Sequence, residues 1–434
     1  MTAAFVRSIV IGLLSVGSAC AIRPLLAARR MAWAVLLAPY LTPTLLVGYA
    51  YGSFSLSLVR HPTANELLYA TLLWLKLTPV AAVVLAFAPP SVSAEALHCW
   101  RQLGGKADWV FRWKAGCARA PLAAFALVFL FSFGEFEMAS LLNVPSWTVA
   151  LFDAHAGGLA LGESLRLTML PALCEAAVVG CVAWWLWRAR PRVEAHASRS
   201  DGVMPDWLGW LHLIVALIVV FCVPASIVLR GTMEGLAAVL QNFALGKEIG
   251  ASLVFAIAAT SGACLLARRR TAAALTFAGM FGSLVLSLVI LAVVQLPVLR
   301  VLRDTPVPVI LALMMVLLPF AVVLRLLFEA WRPGTSLYLA RIVGASRSRR
   351  ELVWRLKVRG QFWSAFLLFA WAYWDLTAGS ILAPISMTPV TVRLYNLMHY
   401  GQTATLSAML CMTFGAPLAV AAAMVMTRRW WMSV

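Results

Sequence analysis

The stretch VPVILALMMVLLPFAVVLRLLF, Val307 to Phe328, decides the fold, because it runs for twenty-two residues with a single charge, Arg325, near one end. A helix needs about 20 apolar residues to cross the hydrocarbon core of a bilayer, so this segment is predicted to span a membrane. Working outward from it, windows of similar character run from Ala3 to Ile22, Met31 to Phe54, Leu67 to Ala88, Arg119 to Met138, Leu167 to Trp187 and Trp207 to Leu229. A second series runs from Ile249 to Ala267, Thr271 to Leu296, Phe362 to Leu382 and Ala404 to Met426. The expectation is an all-α polytopic membrane protein with about 11 transmembrane helices. Ala3 to Ile22 has the look of a signal peptide, but its basic residues Arg23, Arg29 and Arg30 follow the apolar run rather than precede it, so a retained helix is expected.

The composition agrees. Of 434 residues, 62% are hydrophobic and 12% charged, and the mean hydropathy is +0.89, which excludes a soluble enzyme. A net charge of +18 would suggest nucleic acid for a soluble chain, but in a membrane protein Lys and Arg collect in cytoplasmic loops. With the N-terminus outside and the C-terminus cytoplasmic, roughly 26 of the 35 basic residues fall on the inner side. No nucleic-acid partner is expected, and membrane lipid is. The eight cysteines form no CxxC pair and lie mostly in apolar runs, so neither disulfides nor a zinc site is expected.

The chain also repeats itself. WVFRWKAG (Trp109 to Gly116) parallels LVWRLKVR (Leu352 to Arg359), TVALFD (Thr148 to Asp153) parallels TVRLYN (Thr391 to Asn396) at the same offset, and SACAIRPLLAARR (Ser18 to Arg30) resembles SGACLLARRR (Ser261 to Arg270). Apolar segments match by chance, but these are polar loops in the same order. Two halves are expected, residues 1–188 and 207–434, joined by a cytoplasmic linker at 189–206. The helix from Trp207 to Leu229 has no counterpart before Ala3, so the first half lacks a leading helix.

Each half contains one long cytoplasmic loop. In the second, Leu337, Ala340, Arg341 and Gly344, then Leu352, Val353 and Leu356, suit short amphipathic helices broken at Gly344. A plainer reading is an interfacial helix whose Arg residues meet anionic lipid. Tyr338 to Lys357 resembles the cytoplasmic loop of binding-protein-dependent ABC import permeases, whose pattern is Glu-Ala-Ala, three residues, Gly, nine residues, Ile, one residue, Leu-Pro. Ala340 stands at the second Ala, Gly344 at the Gly, Ala345, Ser346 and Arg347 continue in the family's style, and Leu356 stands at the Leu. Tyr338, Trp354 and Lys357 depart from the Glu, Ile and Pro. In the first half Glu95, Ala96, Gly104 and Gly105 echo the pattern without its spacing. The segment Gly379 to Ala408 is similar to permeases with two fused halves, the subgroup importing ferric iron, with thiamine and polyamine or anion permeases as relatives.

The resemblance implies a coupling helix around Gly344 that docks on a separate ATPase, two such subunits per chain, a periplasmic substrate-binding protein as donor, and a place in the bacterial inner membrane. The worn first loop implies asymmetric coupling. Gly104-Gly105-Lys106-Ala107 lacks the spacing of a phosphate-binding loop, so no enzymatic activity and no cofactor are expected of this chain. The rivals are an ion-driven secondary transporter and a degenerate permease acting as a membrane scaffold.

Ionisable groups inside spans are costly and often functional. Glu135, with Glu137 beside it, lies near the outer end of one helix, and Asp375 aligns with Glu135, so two carboxylates are expected to face each other across the repeat interface, where duplicated transporters place their pathways. Hard oxygen ligands suit a ferric ion in passage; the plainer alternative is that both sit solvated at the headgroups. Lys76, mid-span, is expected to pair with Glu175, itself mid-span, or to bind an anion. Pro79 and Pro319 occupy similar places before the long loops and permit kinks. His155 and His399 read as polar surface residues, not metal ligands.

Overall fold

The computed structural model describes residues 1–58, 60–87, 98–100, 102–103, 119–188, 206–240, 244–269, 272–330, 347–354, 358–399 and 403–433. Among them the protein is entirely helical. Seven helices among these residues are long and apolar enough to cross a membrane: Thr2–Ala28, Pro62–Ala86, Leu161–Cys181, Trp207–Ala237, Leu245–Leu266, Val307–Arg325 and Ala404–Arg428. A bent pair, Arg30–Leu41 with Thr44–Ser57, makes an eighth if it counts as one span. This is a membrane-embedded helical protein, as backbone groups without access to water require.

By internal packing the chain divides into two compact units. The first holds α1 (Thr2–Ala28), α2 (Arg30–Leu41), α3 (Thr44–Ser57), α4 (Pro62–Phe87), α5 (Arg119–Phe133), α6 (Glu137–Leu141), α7 (Trp147–Ala156), most of α8 (Leu161–Arg188), α9 (Asp206–Ala216) and a π-helical turn, Leu217–Cys222. In it α1, α4 and α5 pack on one another, α3 rests on α6 and α9 on α1. The second holds α10 (Val223–Leu240) from Ala225 onward, α11 (Ala244–Leu266), α12 (Ala272–Gly279), α13 (Gly282–Val294), α14 (Val307–Ala330), α15 (Arg347–Val353), α16 (Arg359–Trp374), α17 (Thr377–Leu382), α18 (Val390–His399) and α19 (Thr403–Ser433). There α11, α14 and α16 pack on one another and α13 rests on α17. The first unit runs on to Pro224, because α9 packs on α1, with Gly209 against Leu25.

Several windows that read as single spans are broken. The helix expected over Met31 to Phe54 bends by 69° between α2 and α3. Pro43 has no N–H, and its ring pushes the preceding residue out of helical geometry; Thr42 is accordingly extended, at φ −66°, ψ 124°. The window Thr271 to Leu296 is cut between α12 and α13, where Gly282 adopts φ +77°, a conformation glycine enters without a Cβ clash. The windows ending at Met138 and Leu382 each stop early, at Phe133 and Trp374, and resume as the short helices α6 and α17.

Prolines inside the long helices leave carbonyls without their helical donor, and the fold answers two of them with tyrosines. Pro417 vacates the carbonyl of Thr413, and the Tyr373 hydroxyl donates to it at 3.2 Å. In the π-helical turn the register shifts by one residue, so Pro224 vacates Val219 instead, and the Tyr51 hydroxyl donates there at 2.8 Å. The carbonyl vacated by Pro319 belongs to Met315, and Gly279 sits directly over it: a Cβ at Gly279 would stand 2.0 Å from that oxygen. Only glycine permits α12 and α14 to approach so closely.

Candidate functional site: buried polar groups at the helix breaks

Glu135 lies in the gap between α5 and α6. The gap leaves the first amides of α6 without helical partners, and the Glu135 carboxylate accepts from Met138 N at 2.6 Å and Ala139 N at 3.0 Å. The Tyr69 hydroxyl on α4 donates to the same carboxylate at 2.8 Å. The Arg7 guanidinium on α1 lies 4.6 Å above the Tyr69 ring and is ion-paired with Glu66 on α4. A chain of polar groups, Glu66, Arg7, Tyr69 and Glu135, thus ties α1, α4 and the start of α6 together inside the first unit. The backbone oxygen of Glu135 is also occupied, since Thr148 on α7 donates its hydroxyl to it at 2.7 Å.

Asp375 occupies the corresponding gap between α16 and α17. Its carboxylate accepts from Ala378 N at 2.8 Å and from the Ser283 hydroxyl at 3.2 Å, while its backbone oxygen accepts from Thr391 on α18 at 3.1 Å. Each carboxylate therefore caps a short helix in its own unit, and both are held by backbone amides and hydroxyls.

Lys76 does not pair with Glu175. Its ammonium donates to the carbonyl oxygens of Thr42 and Tyr40 at the break between α2 and α3. The last carbonyls of a helix lack amide donors and carry partial negative charge, so a buried ammonium finds there the acceptors that a bend exposes. The carboxylates of Glu137 and Glu135 act on it electrostatically. Glu175, on α8, is 1% exposed, and neither of its carboxyl oxygens has a hydrogen-bond partner among the described residues. Its Oε1 lies 3.5 Å from the place a Cβ would occupy on Gly134.

Sequence reading missed three members of the first network, Arg7, Glu66 and Tyr69. The signal for Arg7 was present, an ionisable residue inside an apolar run; nothing in one dimension marks Tyr69 as its neighbour. It also missed Asn65, whose side-chain amide donates to the carbonyl of Leu142 at 2.7 Å, with the Ser55 hydroxyl 2.6 Å from the same oxygen.

Of the loop residues singled out above, Gly104, Gly105, Ala340, Arg341, Gly344, Ala345, Ser346 and Leu356 lie outside the described residues. Arg347 opens α15. Trp354 is buried beneath the Arg428 guanidinium, 5.3 Å from its ring centre, which ties the end of this loop to α19. His399 packs edge-on against Tyr395. Among the described residues no three His, Cys, Asp or Glu side chains gather into a metal-binding group.

No protein-family model, no curated protein and no solved structure matches this chain.

Proposed function

We propose that this chain is the membrane permease of an ABC importer, with two fused halves that carry a substrate delivered by a periplasmic binding protein across a bacterial inner membrane. ATP is hydrolysed on two partner subunits, which dock through the two long cytoplasmic loops, chiefly the one around Gly344 and more weakly the one at Gly104 and Gly105; ferric iron is the favoured substrate, on the resemblance of Gly379 to Ala408 to that subgroup. The N-terminus is outside and the C-terminus cytoplasmic on this reading.

The observation that carries the proposal is the correspondence between the units. Among the described residues α1 to α8 pair in order with α11 to α14 and α16 to α19, with α15 and the α9–α10 helix outside the pairing. In both units a helix ends at a carboxylate that caps a five- or six-residue helix, and the next helix returns a threonine hydroxyl to that carboxylate's own backbone oxygen. Such a shared hydrogen-bond device at Glu135 with Thr148 and at Asp375 with Thr391 supports duplication, the construction in which transporters move one half against the other. The worn pattern at Gly104 and Gly105, against the fuller one from Ala340 to Leu356, supports unequal coupling of the halves to the ATPase.

The test is co-purification from the native host. An ATPase should accompany the chain and be lost on Gly344→Trp or on deletion of residues 341–350, with the membrane fold retained. If the purified chain in liposomes instead drives uptake from a pH gradient with no ATPase present, the importer reading fails in favour of an ion-driven transporter.

A further inference from the structure

The importer reading gives no role to a proton, yet one residue is built to hold one. α8 turns Thr168, Pro171, Glu175 and Val179 inward, while Leu167, Met169, Leu170 and Leu173 on its other faces are exposed. The buried face of a membrane helix thus carries an ionisable group in the middle of its span. Burying an isolated carboxylate in a medium of low dielectric costs far more than burying the neutral acid, so such a group is kept ionised only by donors or cations around it.

Glu175 has neither among the described residues. Both of its oxygens lack a donor. Other ionisable groups inside the first unit are engaged elsewhere: Arg7 with Glu66 and the Tyr69 ring, Lys76 with the carbonyls of Thr42 and Tyr40, Glu135 with two amides and Tyr69. Glu137 acts on Lys76. The neighbour Glu175 does have is Gly134, in the gap after α5, where a Cβ would stand 3.5 Å from Oε1, at ordinary contact distance.

We propose that Glu175 is a proton-binding site inside the membrane, occupied by one proton while α8 lies against Gly134. This assigns the chain a proton ligand that neither ATP coupling nor the substrate requires. A membrane-soluble carbodiimide is the direct probe. It reacts with a carboxylic acid rather than a carboxylate: the acid proton goes to one carbodiimide nitrogen, the carboxyl oxygen bonds to the central carbon, and rearrangement leaves a stable N-acylurea with no leaving group.

The full chain in lipid nanodiscs, without ATPase, ATP or substrate, is treated with dicyclohexylcarbodiimide, and the label is located by peptide mass spectrometry. One adduct per chain is expected on the peptide carrying Glu175, its rate falling tenfold per pH unit once the acid ionises. Glu175→Gln should lose that adduct. Mapping of the wild-type chain gives the answer even if the variant fails to fold. A label confined to Glu135 or Asp375, no label at all, or protection of Glu175 by sodium at constant pH would overturn the proposal, the last by making the site a cation site. Because no transport is measured, the result is independent of the importer reading.

Discussion

The Tyr373 hydroxyl on α16 donates to the backbone oxygen of Thr413 on α19, the one carbonyl that Pro417 deprives of its helical donor. A proline kink in a membrane helix is thereby secured by a neighbouring helix. Loss of the hydroxyl leaves a buried acceptor unpaired, so Tyr373→Phe is expected to lower stability by about 1 kcal/mol. Tyr51→Phe should do the same at Val219. The two pairs share no partner, so the double variant should show the sum in thermal unfolding measured in detergent.

Lys76 and Glu175 are separate sites, and a double-mutant cycle distinguishes this from the ion pair that the sequence suggests. Lys76→Met strips the donor from the carbonyls at the α2–α3 bend and is expected to destabilise by about 1–3 kcal/mol. Combined with Glu175→Gln, the effects should be additive to within about 0.5 kcal/mol. A larger coupling in chemical unfolding would show that the pair forms after all.

Glu135 holds the first turn of α6 through Met138 and Ala139. Glu135→Ala should cost about 1 kcal/mol, the value of a lost helix cap, and hydrogen exchange at those two amides should accelerate. Asp375→Asn retains a side-chain acceptor for Ala378 and should be milder than Asp375→Ala in the same measurement. Thr148→Val and Thr391→Val remove the hydroxyl bond to the backbone at each carboxylate, and each should cost about 1 kcal/mol on its own.

A methyl group at Gly279 would stand on the Met315 oxygen. Gly279→Ala is therefore expected to push α12 from α14 and to destabilise by about 1–3 kcal/mol. Gly250→Ala, in the interior of α11 where a Cβ meets nothing within 4 Å, should be neutral or stabilising by up to about 1 kcal/mol, since alanine is the better helix former. Equal effects at the two positions would contradict the close approach.

The amino-acid sequence determined that this is a helical membrane protein, because that property is local: a run such as Val307 to Phe328 is too long and too apolar for water, and a backbone in lipid must bond within its own segment. It did not mark where helices break, at Pro43 and around Glu135 and Asp375: the windows there read as continuous, since average hydropathy is blind to one extended residue. The partner of each buried polar group was decided only by tertiary structure. Lys76 and Glu175 are complementary in charge and similar in depth along the sequence, yet the bend at Thr42 offers carbonyl oxygens nearer to the ammonium, and Glu175 is left against Gly134. Which acceptor wins depends on which helices are neighbours, and neighbours are set by packing between segments far apart in the chain.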